Sequence, residues 1–164
     1  MPTLSVGKTK TSRRGVTLIE LMVVVALISL IVGISFPTIT SGIDSLRLNA
    51  ATNGVVSFLN SGLDRAERRQ QMVEITVSKS ANAIEMRSSV KEFERKLALP
   101  DGVSITHILP EPEDGDPNAP RTFILYPGGT VPGFGIELIN RRKVERIVRV
   151  DPITGIPHVE RPES

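Results

Sequence analysis

Val16 to Phe36 reads VTLIELMVVVALISLIVGISF, 21 residues in which Glu20 is the one charge and Thr17, Ser29 and Ser35 are hydroxyls small enough for a helix to satisfy. At about 1.5 Å per residue, a helix of that length reaches roughly 31 Å, the thickness of a bilayer's hydrocarbon core. Beyond Pro37 the pattern turns amphipathic. Ile39, Ile43, Leu46, Ala50, Leu59, Leu63 and Ala66 recur at threes, fours and their multiples, with charged and amide residues mostly between them. This spacing predicts that the same helix runs on to about Gln70. Gly42, Gly54 and Gly62 each weaken such a helix by about 1 kcal/mol relative to Ala, so it is expected to lean on a sheet.

From residue 71 the period becomes that of strands. Val73, Ile75 and Val77 alternate with polar neighbours, and further strands are expected at 83–87, 103–109, 122–126, 136–139 and 144–150, divided by Gly, Pro, Asn and Asp turns. One long helix followed by about six short strands predicts an α+β fold with a small antiparallel sheet packed on the helix. Glu111 to Pro120, EPEDGDPNAP, reads as a loop. Its clustered oxygens suit calcium in principle, but the prolines break regular ligand spacing, and a solvated loop is the expectation. GGTVPGFG at 128–135 has neither the spacing nor the following helix of a phosphate cradle, and is expected to be a hairpin connection.

The segment ahead of the apolar run carries Lys8, Lys10, Arg13 and Arg14 and no acid. Such a leader stays cytoplasmic and sends the rest of the chain across the membrane. No small-residue cleavage site follows the apolar run. The unusual boundary lies in front of it, where Arg13-Arg14-Gly15 meets Val16-Thr17-Leu18-Ile19-Glu20. This resembles the prepilin signal of type IV pilins and pseudopilins. The resemblance implies cleavage after Gly15 by a prepilin peptidase and N-methylation of Val16, although that family usually begins its mature chain with Phe. Cleavage there leaves the apolar segment attached as an assembly element. It also implies that Glu20 pairs with the new amine of a neighbouring subunit and that Pro37 kinks the helix. A carboxylate inside a bilayer costs about 2.5–3.5 kcal/mol, which gives Glu20 reason to seek such a partner.

LDRAERRQQMVEITVS, and the order FILYPGG, GFGIELIN, RIVRVDPITG, are similar to the H-type minor pseudopilins, the GspH/FimT family. The resemblance implies a type IV pilin-like fold and a periplasmic pseudopilus subunit of a type II secretion system. Its implied partners are the prepilin peptidase, other major and minor pseudopilins, and an inner-membrane assembly platform. The alternative of the same architecture is a minor pilin of a type IV pilus, acting in pilus assembly or DNA uptake. The expected organisation is a cleaved leader at 1–15, a membrane-spanning assembly helix at 16–36, its amphipathic continuation at 37–70 and a β-rich periplasmic domain at 71–164. The chain would begin as a single-pass protein of the bacterial inner membrane.

Composition narrows the alternatives. With 164 residues, 40% hydrophobic and 23% charged, the chain suits one modest domain. It has no Cys, which removes disulfides, thiolate zinc sites and cysteine nucleophiles. His107 and His158 stand apart from any H-E-x-x-H, G-x-S-x-G or Walker pattern, so no catalytic residue, metal or cofactor is expected. Arg141, Arg142, Lys143, Arg146 and Arg149 form a basic cluster, read as the outer face of a strand and a solvated sheet edge. A DNA-binding reading of that cluster lacks interleaved aromatics. The formal net charge is +2, but removing the leader's four cations leaves 16 Lys and Arg against 18 acids. The basic balance therefore belongs to the leader, and no nucleic-acid partner is expected.

Overall fold

The structure, a computed structural model, describes residues 15–90, 93–112 and 115–162, with the side chains of 34–41 outside the description. The expected leader thus lies, except for Gly15, outside the described residues. The chain divides into two compact units, one up to Ile39 and one from Thr40 onward. Helix α1, Leu18–Arg69, contributes to both.

In the first unit every large apolar side chain described on α1, from Leu18 to Val32, is exposed. Among the described residues no helix is long and apolar enough to cross a membrane. The 21-residue run expected to do so reaches Phe36, and its described side chains stop at Gly33.

In the second unit α1 acquires a buried face. Leu48, Ala51, Val55, Phe58, Leu59 and Ala66 follow the helical spacing and enter one apolar core with the strands. The phase differs from the sequence expectation: Ala50 is exposed, Ile43 is 43% exposed and Leu46 68%. Ile43, Leu46 and Ala50 lie on the far side of the helix from the buried stripe of Leu48, Ala51, Thr52 and Val55, whose next position toward the amino end is the half-buried Asp44. The helix ends at Arg69, one residue short of the expected end, where Gln70 turns left-handed with φ 52° and its side-chain Nε2 donates to the Glu67 carbonyl.

Among the described residues eight strands form two sheets, in place of about six in one. Strands β1 Val73–Ser78, β2 Ala83–Ser88, β3 Glu94–Ala98 and β5 Arg121–Leu125 make an antiparallel sheet of order β3-β2-β1-β5. The second antiparallel sheet takes β4 Val103–Leu109, β6 Phe134–Asn140, β7 Glu145–Val150 and β8 Pro157–Glu160 in the order β4-β6-β7-β8. The 128–135 run is therefore not a hairpin connection. It carries the chain from the edge of one sheet to the middle of the other, and the rings of Phe123 and Phe134 stack across that junction with centroids 4.0 Å apart.

Alternation decides what each strand buries. Val73, Ile75 and Val77 are fully buried, while Glu74 and Thr76 between them point away. On the outer face Lys96 meets Glu85 at 2.9 Å and Arg87 meets Glu94 at 3.0 Å, so charge pairs mark the β2–β3 edge. A charged edge strand discourages pairing with another sheet. Asn82, left-handed at the β1–β2 turn with φ 47°, donates to the Val103 carbonyl and accepts from the Ile105 amide. One side chain thereby replaces a strand partner for β4.

The helical glycines separate into two kinds. A Cβ on Gly62 would lie 2.9 Å from Met86 Cε and 3.4 Å from Ile75, whereas one on Gly54 would meet nothing within 4 Å. Gly54→Ala should stabilise the fold by about 0.5–1 kcal/mol, by helix propensity and lower unfolded-state entropy. Gly62→Val should destabilise it by about 1–3 kcal/mol through overpacking against β2. Denaturant unfolding of the two variants checks the pair; equal effects at the two positions would remove the packing account.

Candidate functional site: the amino-terminal helix

The first described residues are not helical. Thr17 precedes the first turn, its Oγ1 accepts from the Glu20 amide at 3.3 Å, and its carbonyl accepts from the Leu21 amide at 3.2 Å. Thr17 is thus the N-cap, with Glu20 three residues on, the T-x-x-E spacing of a capping box. That spacing was readable in the sequence, where Thr17 counted merely as a hydroxyl to be satisfied. Ser29 does meet that expectation, donating to the Val25 carbonyl at 2.8 Å.

Glu20 sits in the first turn of α1, and among the described residues no cation pairs with its carboxylate. Gly15 and Val16 lie just ahead of the helix, with Val16 68% exposed and nothing within 4 Å of where a Gly15 Cβ would stand. The structure therefore brings Gly15, Val16, Thr17 and Glu20 together at one helix start. Pro37 falls inside α1, and its side chain lies outside the described residues.

Thirteen large apolar side chains between Val16 and Val32 are 47–78% exposed, on all sides of the helix. A surface helix of a soluble domain shows one apolar stripe, whereas an all-round apolar helix is covered by lipid or by other helices. Contiguous bare apolar area on this scale marks an interaction surface.

The other sequence candidates sit elsewhere. His107 Nδ1 lies 2.9 Å from Glu137 and its Nε2 3.7 Å from Glu111, on the exposed side of β4. Glu113 and Asp114 of the acidic loop lie outside the described residues. Asp116 accepts from the Asn118 amide, and no cluster of three His or acidic groups suited to a metal occurs among the described residues. An open groove lies between Asn60, Asp64 and Glu67 of α1 and the loops around Thr130 and Ile153. Its acids are engaged: Asp64 pairs with Arg68 at 3.5 Å, and Glu67 accepts from the Gly128 amide.

The five cations of the 141–149 cluster do not share one outer strand face. Arg141, Arg142 and Lys143 occupy the exposed β6–β7 turn, Arg146 falls on the same side of β7 as the buried Val148 and Val150, and Arg149 pairs with Glu160 at 3.0 Å. Nor is β7 a solvated edge, because β8 covers it. The turn, which falls between the strands expected at 136–139 and 144–150, separates Arg141, Arg142 and Lys143 from Arg146 and Arg149.

Residues 10–36 match the family described as the prokaryotic N-terminal methylation motif, which places Gly15, Val16 and Glu20 within it. Among solved structures, the chain is similar to the minor pseudopilin EpsH from the type 2 secretion system of Vibrio cholerae. The TM-score is 0.54, with 12% identity over 72% of this chain and 99% of that one. At that identity the likeness is one of fold. No curated protein matches the chain. The chain thus carries an N-terminal methylation motif together with an α+β fold like that of a minor pseudopilin.

At the opposite end of the chain, β8 is held by a charged triad. Glu160 accepts from His158 Nε2 at 2.7 Å and from Arg149 at 3.0 Å. The bond from His158, and then that from Arg149, lowers the Glu160 carboxyl below its ordinary value, while the same Glu160 bond raises His158 above 6.5. A raised histidine stabilises the fold fully below its unfolded value and loses that contribution as pH rises through the folded one. A lowered carboxylate does the reverse on the acid side. The β8 tether is therefore strongest between the two. Intrinsic-rate-corrected hydrogen exchange at β8 should accelerate as pH rises from about 6 to about 8, and Glu160→Gln should flatten that dependence. A wild-type profile already flat across that range would remove the triad's role.

Proposed function

We propose that this chain is a minor pseudopilin of a type II secretion system, made as an inner-membrane precursor and assembled into a periplasmic pseudopilus that drives export of folded proteins. The observation that carries the reading is the pairing of an uncovered apolar helix bearing a methylation motif with a folded domain of pseudopilin type. The motif alone serves pilus pilins and secretion pseudopilins equally, and the likeness of fold to a secretion pseudopilin tips the choice.

In this reading prepilin peptidase cuts between Gly15 and Val16, the new Val16 amine is methylated, and the run from Val16 to Phe36 spans the membrane with the β-rich domain in the periplasm. Magnitudes support that placement. Covering thirteen half-exposed apolar side chains is worth on the order of 10–20 kcal/mol at about 1.5–3 kcal/mol for each fully buried. The cost of Glu20 inside a bilayer, about 2.5–3.5 kcal/mol, does not reverse it. That cost instead gives the glutamate a reason to meet the positive Val16 terminus of a neighbouring subunit, and methylation preserves that charge. Packing against neighbouring apolar helices offers the segment a destination comparable with lipid, so a subunit can leave the membrane for the fibre.

Two measurements check this. Glu20→Leu should insert and be cleaved normally yet be lost from sheared or purified pseudopili; incorporation at the wild-type level would remove the pairing. Mass spectrometry of the chain from cells with active prepilin peptidase should show a mature end at Val16 carrying one methyl group, and an intact Met1 end would overturn the reading as a whole.

A further inference from the structure

The β6–β7 turn is a cationic tip fixed to the start of the domain's helix. Asn140, 4% exposed, accepts from the Arg142 and Val144 amides through Oδ1 at 2.9 and 3.0 Å, and its Nδ2 reaches the Asp44 carbonyl of α1 at 3.5 Å. A buried amide that satisfies three backbone groups holds the turn in one place. The side chains it presents, Arg141, Arg142 and Lys143, are all exposed, and none of them is in an ion pair among the described residues. By contrast, Arg68, Arg87, Lys96 and Arg149 each meet a carboxylate within 4 Å.

Nearby on α1, Arg47 is exposed and likewise unpaired, and Ile43 and Leu46 are bare apolar groups. The acids of this end are fewer or set back: Asp44 and Glu145 are half-buried, and Asp101 is exposed in the turn whose Gly102 lies against the Arg141 side chain. Exposed cations beside bare aliphatic groups suit the headgroup level of an anionic bilayer.

Chain connectivity supplies the partner. Asp44 stands eight positions beyond Phe36, the end of the apolar run, a tether of about 12 Å when helical and at most roughly 29 Å when extended. The geometry points to the β6–β7 turn as a docking surface for anionic lipid headgroups of the membrane that holds the chain's own apolar segment, steadying the domain until the subunit leaves for the fibre. This rests on the membrane-spanning reading of that segment. DNA, the other polyanion to consider, has no aromatic platform beside the turn and no comparable tether.

The absence of Cys permits a single fluorescent reporter through Val144→Cys, with the full chain reconstituted in vesicles. Quenchers on lipid headgroups should dim the reporter in vesicles containing about 30% phosphatidylglycerol and leave it bright in purely neutral ones. Each cation removed should weaken that surface association about fivefold. Arg141→Gln, Arg142→Gln and Lys143→Asn together should therefore abolish the quenching; Asn suits position 143 because Lys143 is left-handed with φ 62°. An unchanged unfolding transition in the triple variant, and recovery of quenching in the Arg141→Lys, Arg142→Lys variant, keep lost folding apart from lost charge.

Equal quenching in both kinds of vesicle, or none in either, overturns the proposal. So does release of the reporter by millimolar inorganic phosphate at constant ionic strength, which would mark a free-phosphate site, or by duplex DNA with the DNA found bound to the chain. Flotation separates the two levels of inference. A chain that floats with neutral vesicles but shows no lipid-dependent quenching loses the docking surface alone, while one that does not float with them loses the membrane span and the docking surface with it.

Discussion

One helix is asked to satisfy two surroundings, and the rest of the structure depends on that constraint. From Leu48 to Ala66 its buried apolar side chains are covered by the strands; from Leu18 to Val32 the large apolar side chains are exposed among the described residues. Burial stabilises by about 25 cal/mol per Å² wherever the cover comes from, so an uncovered half of this size cannot be a resting state in water. The covered half needs cover on more than one side, and two four-stranded sheets supply it. Leu59 and Leu63 adjoin Ile75 and Leu125 of one sheet and Phe134 and Val150 of the other.

That division also explains where polar groups are placed. Thr17 closes the helix start with its own oxygen, so one of the first turn's free amides is satisfied from within the chain. Arg68 and Arg69 stand in the last turn, where cations suit the helix dipole. Inside the folded unit, Asn82 and Asn140 replace missing backbone partners at the two places where a turn must bind an element that it does not pair with by strand hydrogen bonds. Polar chemistry in this domain serves mainly to close its own backbone.

What was legible in the sequence follows from which signals are local. The apolar run, the Gly15–Val16 boundary, the helix end and the strands with clean alternation all declare themselves within a few residues. Strand β3 did not, because ERKLA lies at a sheet edge with its charges in solvent and shows almost no buried face. Strand β8 did not, because PHVE is four residues long and opens with proline. The division into two sheets was hidden for a different reason: alternation tells which way a side chain points and is silent on which sheet receives it. The phase of α1 before Leu48 was misread because Ile43, Leu46 and Ala50 keep helical spacing with one another, yet lie on the side of the helix opposite the buried Leu48, Ala51 and Val55. At the candidate site Glu20 and Gly15 were found by motif. The capping role of Thr17 needed only the T-x-x-E rule, whereas the hold of Asn140 on Asp44, 96 residues apart, had no local trace.

Charge shows how little a global number says about such a chain. The net positive balance rests on the four cations of residues 1–14; from residue 15 onward 18 acids outnumber 16 bases, so that stretch as a whole is not drawn to polyanions. Yet several acids on its surface are spent on neighbours: Glu85 on Lys96, Glu94 on Arg87, Asp64 on Arg68, Glu160 on Arg149 and His158. Because interactions between exposed charges fade over about 8–10 Å at physiological salt, a partner at the surface senses the unpaired groups within that range and little of the total. The relevant quantity is therefore the local excess left after pairing. At the β6–β7 turn that excess is positive and held in place by a buried amide, in a chain whose formal balance from residue 15 onward is negative.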